Sequence, residues 1–162
     1  MIHPRGISDA TQYAIDQFVL RGGRLIALVD PMAYFDQRPG PMGMTIPSQP
    51  SSLDKLFKAW GVEMPSDKVV LDLENRAGGG TRLMPTVLAL DGPSINRDDI
   101  ATSVVPNALI PMAGAFTVKP AEGLRSSVLL KSSARASLLD ASKGGEQGER
   151  ALSGFKATGI EY

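Results

Sequence analysis

The sequence predicts a parallel α/β domain, and three observations lead there. Residues 8–31, SDATQYAIDQFVLRGGRLIALVDP, run from a capped helix through a Gly-Gly stop into an apolar strand with an Asp-Pro exit. Met1-Ile2-His3-Pro4, just ahead, has the form of a strand's end, so the order is that of a βαβ unit entered partway through its first strand. Leu25-Ile26-Ala27-Leu28-Val29 is continuously apolar instead of alternating. A strand covered by helices on both faces reads this way, which is the mark of a parallel sheet.

Ser8 is a suitable N-cap for the first helix, and Asp9 sits where the helix dipole favours a negative charge. Ala14, Ile15, Phe18 and Val19 fall at spacings of three and four and define an apolar face. Gln12, Asp16 and Gln17 fall largely on the wet side. Gly22-Gly23 supplies the left-handed residue that stops a helix without steric cost. A second helix is expected to open at Ser51, with Asp54 at the capping-box distance. Leu53, Leu56, Phe57 and Trp60 form its stripe, Gly61 stops it, and Trp60 reads as core.

Between the helices, residues 32–50 lose all periodicity. Pro31, Pro39, Pro41, Pro47 and Pro50 bracket or interrupt the stretch, with Gly40 and Gly43 inside it. A loop of this length is either a solvated excursion or a segment that closes over a partner or ligand.

Beyond Gly61, strands are expected at Lys68–Leu73 and Leu83–Leu90, joined by the flexible turn ENRAGGGTR. Pro85 demands an edge or an early position in its strand. Asn96–Ile100 has the look of a short capped helix, Ala108–Met112 and Ala115–Val118 of short extended pieces, and Ser127–Lys131 of a further strand. These imply some antiparallel pairing in the C-terminal half. Residues 1–140 thus form an α/β domain, 141–154 a flexible glycine-rich loop, and 155–162 the start of another strand. Both ends read as cut, so an N-terminally truncated excerpt is expected.

Composition narrows the function classes. The 162 residues suffice for one domain, and 17 basic against 17 acidic residues leave no net charge. No basic stripe of the kind phosphate backbones require is present, so nucleic acid is not an expected partner. The chain has no cysteine, which excludes disulfides, thiolate metal sites and a cysteine nucleophile together. No stretch reaches the roughly 18–20 apolar residues that span a bilayer.

Four residues stand out as candidates for ligand binding: Asp30, Tyr34, Phe35 and His3. Asp30 follows a strand read as parallel, and open α/β sheets bind ligands outside the carboxyl ends of their strands. It either binds a polar partner or caps the loop that Pro31 turns; no metal-type ligand lies nearby in sequence except Asp36. Tyr34 and Phe35 would line the same end, as aromatics beside a carboxylate suit sugars and polar organic ligands. His3, the only histidine, also follows a strand's end. Catalysis by His3 would need a nucleophile and an orienting carboxylate, and Ser8 and Asp9 are better used as a helix cap. No catalytic residue, metal site or cofactor is therefore assigned.

Other motifs fail on spacing. AGGGTR (77–82) lacks the GxxxxGK[ST] frame, and Gly22-Gly23 follows a helix where a dinucleotide fingerprint follows a strand. The serines at 126, 127, 132, 133 and 137 sit on no GxSxG elbow. Asp98-Asp99 suits a helix start better than a metal.

YAIDQFVLRGGRLIALVDP, LDKLFKAWGVEM, the NRDDIATS…VPNALIPMAGAF run and LRSSVLLKSSARAS together resemble the ABC-transport auxiliary domain. That domain occurs in gliding-motility-type ABC transporter accessory subunits and is related to the GIFT domain of an intraflagellar transport protein. The resemblance covers most of Ile2 to Ser137, in matching order, through structural motifs and not catalytic ones.

The resemblance implies a three-layer sandwich with a mainly parallel sheet, flavodoxin-like or class I glutamine-amidotransferase-like. The amidotransferase scaffold works through a cysteine nucleophile, so its activity does not carry over to a cysteine-free chain. The resemblance further implies a soluble part of a membrane-anchored protein, on the periplasmic face of a bacterial inner membrane. Its partners would be ABC permease and ATPase subunits, with membrane contact only through segments outside this chain; a homo-oligomer stays open. Three functions follow: a non-catalytic binding or scaffolding domain, a small-ligand or glycan-binding domain, and, least supported, a hydrolase-like enzyme using His3 or Asp30.

Overall fold

A computed structural model describes residues 1–33, 38–43, 45–46, 49–148 and 150–162. The chain divides into two compact units. The first comprises Met1–Ser66 with Phe116–Ser126, and the second Asp67–Ala115 with Ser127–Tyr162.

In the first unit, α1 (Asp9–Leu20) starts where the sequence requires: the Ser8 hydroxyl accepts from the Thr11 backbone N–H. Arg21 ends it, and Gly22 follows with φ 89°. The inward face is not the one the apolar spacing indicates. Phe18 is half exposed and Ala14 exposed, while Gln12 is only 8 % exposed. Gln12 turns inward because α2 (Asp54–Trp60) lacks a cap of its own: Leu53 at its N-cap offers no side-chain acceptor. The Gln12 Oε1 supplies it, accepting from the backbone N–H groups of Lys55 and Leu56 at 3.2 Å each. Asp16, one turn further, accepts from the Trp60 indole N–H at 2.9 Å.

Ser51 does not cap α2; its hydroxyl is engaged by the Asp30 backbone. Leu53 and Leu56 are buried as the stripe requires. Gly61 stops α2 in the left-handed conformation, φ 75°. There the chain exchanges Lys119 N–H to Gly61 C=O at 2.7 Å and pairs Val62–Glu63 antiparallel with Thr117–Val118. A side chain at 61 would overlap the Lys119 carbonyl, so only glycine fits. Arg38–Pro39 (β1) and Thr45–Ile46 (β2) form a two-residue antiparallel ladder, and Val62–Glu63 and Thr117–Val118 are β3 and β8.

The second unit carries the longer strands. β4 (Lys68–Asp72) pairs antiparallel with β9 (Ala136–Asp140) over five residues, Val70 facing Leu138. β5 (Arg76–Ala77), β6 (Met84–Leu90) and β7 (Ala108–Pro111) form a three-stranded antiparallel sheet with β6 in the centre. Pro85 is the second residue of β6, an early position as its missing N–H demands. Val70, Leu88, Leu90, Ile95, Ala115 and Ala136 make the core, with Leu138, Ile110 and Tyr162 against it. In 141–154, Ala141–Lys143 and Arg150–Leu152 form 3-10 turns. Thr86 donates to the Gly144 carbonyl at 2.6 Å there, and Gly148 N–H to that of Leu83 at 2.9 Å.

The fold class expected from the sequence is thus overturned. Among the described residues there are two α-helices, and every ladder is antiparallel. This is not a mainly parallel three-layer sandwich, flavodoxin-like or amidotransferase-like. The only parallel contact among the described residues is a single bridge, Ile2 with Leu28. The expected strand at Leu25–Val29 does not form beyond that bridge, and residues 25–29 are not covered on both faces: Ile26 is 77 % and Leu28 55 % exposed.

A continuous apolar run reports strand-forming side chains but not which strand arrives beside them, and here the partners of β3 and β4 come from segments far along the chain, β8 and β9. Three local expectations also change. Residues 96–104 form turns and not a helix, Asp99 accepting from Ala101 and Ser103 N–H groups. The expected strand at 127–131 contracts to one bridge, Ile95 with Leu130. No strand forms at 155–162.

Candidate functional site

Two proline exits bring the site together. His3 precedes Pro4 and Asp30 precedes Pro31, and both prolines are buried. The Ile2–Leu28 bridge, closed by His3 N–H to Leu28 C=O at 2.8 Å and Leu28 N–H to Met1 C=O at 2.9 Å, sets the two exits side by side. His3 and Asp30, 27 residues apart, then meet: imidazole Nδ1 lies 3.1 Å from Asp30 Oδ2. A carboxylate only accepts, so Nδ1 carries the proton it donates.

Three features mark His3 off from an ordinary surface residue. Its side chain is 11 % exposed, against 37 % for Asp30. Its backbone is left-handed, φ 46°, a conformation that costs a non-glycine residue about 1–3 kcal/mol. Its Nε2 is buried and has no hydrogen-bond partner among the described residues, the one such side-chain atom. A strained, buried imidazole with one nitrogen held by a carboxylate and the other unpartnered among the described residues has hydrogen-bonding capacity to spare.

The hydroxyl that bonds Asp30 does not make this a catalytic triad. Ser51 is fully buried, and its Oγ accepts from the Asp30 N–H at 2.7 Å while donating to the Asp30 C=O at 3.4 Å. The Ser51 N–H donates to the same carbonyl at 2.9 Å. Ser51 thus holds the Asp30 backbone, and its hydroxyl bonds there and not to the His3 imidazole. Among the described residues, no three histidine, aspartate or glutamate side chains gather into a metal-holding group.

Of the four sequence candidates, the structure therefore joins His3 and Asp30. Tyr34 and Phe35 lie outside the described residues, as does Asp36. Ser51 was missed as a site residue because its position before a helix reads as a cap. The remaining motifs resolve into local structure. In AGGGTR a side chain at Gly78 would overlap the Arg82 carbonyl, so the turn folds back on itself there. Ser133 and Ser132 tie the 132–135 turn to Asp72 and Tyr162.

Asp72 is a second carboxylate the sequence did not single out, and its role is structural. It is fully buried at the end of β4. Burial pushes its carboxyl up, but hydrogen bonds from the Ser133 N–H and hydroxyl and from the Asn75 and Glu74 N–H groups outweigh that. The net effect holds it below the usual carboxylate range.

Residues 1–157 match the family described as ABC-type uncharacterized transport system, and the chain belongs to that family. No curated protein and no solved structure matches it. The family associates the chain with an ABC-type transport system as an auxiliary component. Among the described residues, no helix is long and apolar enough to cross a membrane.

Proposed function

We propose that this chain is a non-catalytic binding or scaffolding domain of an ABC transport accessory subunit, on the periplasmic face of a bacterial inner membrane. The permease and ATPase of the same system are its partners, and accessory subunits of the gliding-motility type, with their GIFT-like domain, are its kin. The observation that carries the binding role is the unpartnered Nε2 of His3: one imidazole nitrogen is held by a carboxylate, and the other has hydrogen-bonding capacity that no described residue uses. The test is co-expression of the full transport system with this domain tagged. Recovery of the permease with the wild-type domain, weakened by His3→Ala, is expected; reproducible failure to recover it overturns the reading.

A second reading is favoured by the same atom. An imidazole held by a carboxylate at Nδ1 and unpartnered at Nε2 suits a small ligand rich in hydroxyl or amide groups, a sugar above all. A thermal-shift screen over sugars and short peptides checks it: a stabilising hit abolished by His3→Ala supports it, and silence across the library rejects it.

A further inference from the structure

The Leu25–Val29 segment has two backbone edges. Even-numbered groups face inward: Leu28 exchanges hydrogen bonds with Met1 and His3, and Asp30 with Ser51. The opposite edge belongs to Leu25, Ala27 and Val29, whose backbone N–H and C=O groups make no hydrogen bond among the described residues. An unpaired edge of this kind is a template for another strand. Its flank is apolar and open, with Ile26 77 % and Leu28 55 % exposed.

We propose that this edge pairs with the same edge of a second copy of the chain, antiparallel, about a two-fold axis through Ala27. The sequence of the edge, Arg24-Leu25-Ile26-Ala27-Leu28-Val29-Asp30, is complementary to itself in that register. Leu25 meets Val29, Ala27 meets Ala27, and these odd-numbered pairs are the ones whose free backbone groups point outward to exchange hydrogen bonds.

The even-numbered residues become the pairs whose side chains approach most closely. Ile26 meets Leu28 on the exposed apolar face, and Arg24 meets Asp30 at each end. Arg24 is exposed and makes no ion pair among the described residues, and Asp30 binds His3 through Oδ2, leaving Oδ1 for the arginine. Slipping the register by two residues separates both charge pairs and leaves apolar side chains facing solvent, so the charges select one alignment. The inference is independent of the transport-system assignment, since it uses only this edge.

Sedimentation of the wild-type chain over a range of micromolar concentrations tests it, with Arg24→Asp and Asp30→Arg as single variants. The wild type is expected to show a concentration-dependent monomer–dimer equilibrium. Each variant alone places like charges opposite at both ends and weakens self-association about tenfold. An equimolar mixture of the two variants restores opposite charges at both ends and recovers the dimer. Circular dichroism of each variant guards against unfolding, and the mixture repeats the test on the same two proteins. A wild type that stays monomeric overturns the proposal, leaving the edge to a strand of another protein or to none. A mixture no better associated than its components overturns the register.

Discussion

Gln12 closes the N-terminus of the helix that contains Leu56, its amide oxygen accepting from the Leu56 and Lys55 N–H groups while its Nε2 donates to the Ile7 carbonyl. A side chain on one helix thus satisfies the free donors of another, a duty that normally falls to the residue before the helix. Gln12→Leu keeps the volume but leaves these groups unpaired. It is expected to lower stability by about 1–2 kcal/mol in urea unfolding, whereas Gln17→Leu, on the same helix, changes it little.

Asp72 should give the second unit an acid-sensitive component. Its folded-state carboxyl titrates below the unfolded value of about 3.9, so the unfolded chain binds the proton first as pH falls. The stabilisation is therefore fully present above about pH 4 and is lost as pH drops through the lower, folded-state value. Urea midpoints measured from about pH 7 downward should fall steeply below pH 4 in the wild type. Asp72→Asn should be less stable at neutral pH and show a flatter acid limb. An unchanged acid limb in the variant would assign the effect to another carboxylate.

Gly61 permits one reversal between α2 and β3. Gly61→Ala places a Cβ on the Lys119 carbonyl and forces an L-residue to φ 75°. A loss of about 2–3 kcal/mol is expected by thermal or urea unfolding. Gly145→Ala, with open space around it, serves as the comparison and should be close to neutral.

His3 separates backbone strain from recognition. Asparagine tolerates the left-handed region far better than a β-branched residue. His3→Asn is expected to fold with stability near wild type, and His3→Val to lose about 1–3 kcal/mol. If the imidazole recognises the partner, both variants weaken recovery of the permease. Normal recovery by His3→Asn would place the residue's importance in its backbone alone.

Much of the local structure was legible. Ser8 and Gly22 delimit α1 because one accepts a helix-end N–H and the other takes a positive φ, and both requirements are local. The strands at 68–72, 84–90 and 108–111 follow from short apolar runs bounded by turn residues. β9 escaped notice because ASLLD offers two large apolar side chains, too few for a period; its place opposite β4 supplies the rest. Gln12 and Asp16 read as solvent-facing, since a helical wheel weighs polarity and cannot see a neighbouring helix that lacks a cap or an indole N–H that needs an acceptor.

His3 and Asp30 were each legible as the residue before a proline exit, but not as a pair. Their meeting depends on a bridge across 27 residues, and nothing in either local stretch encodes it.

By itself the sequence determined where α1 begins, where both helices stop, and that cysteine chemistry is absent, because caps, glycines and missing thiols act through neighbouring atoms. Only the tertiary structure decided that the strands run antiparallel, that Gln12 points inward, and that one imidazole nitrogen is held while the other is buried without a partner among the described residues. Those outcomes depend on which distant segments come into contact, and the free energy of such contacts is shared between residues that no local pattern connects.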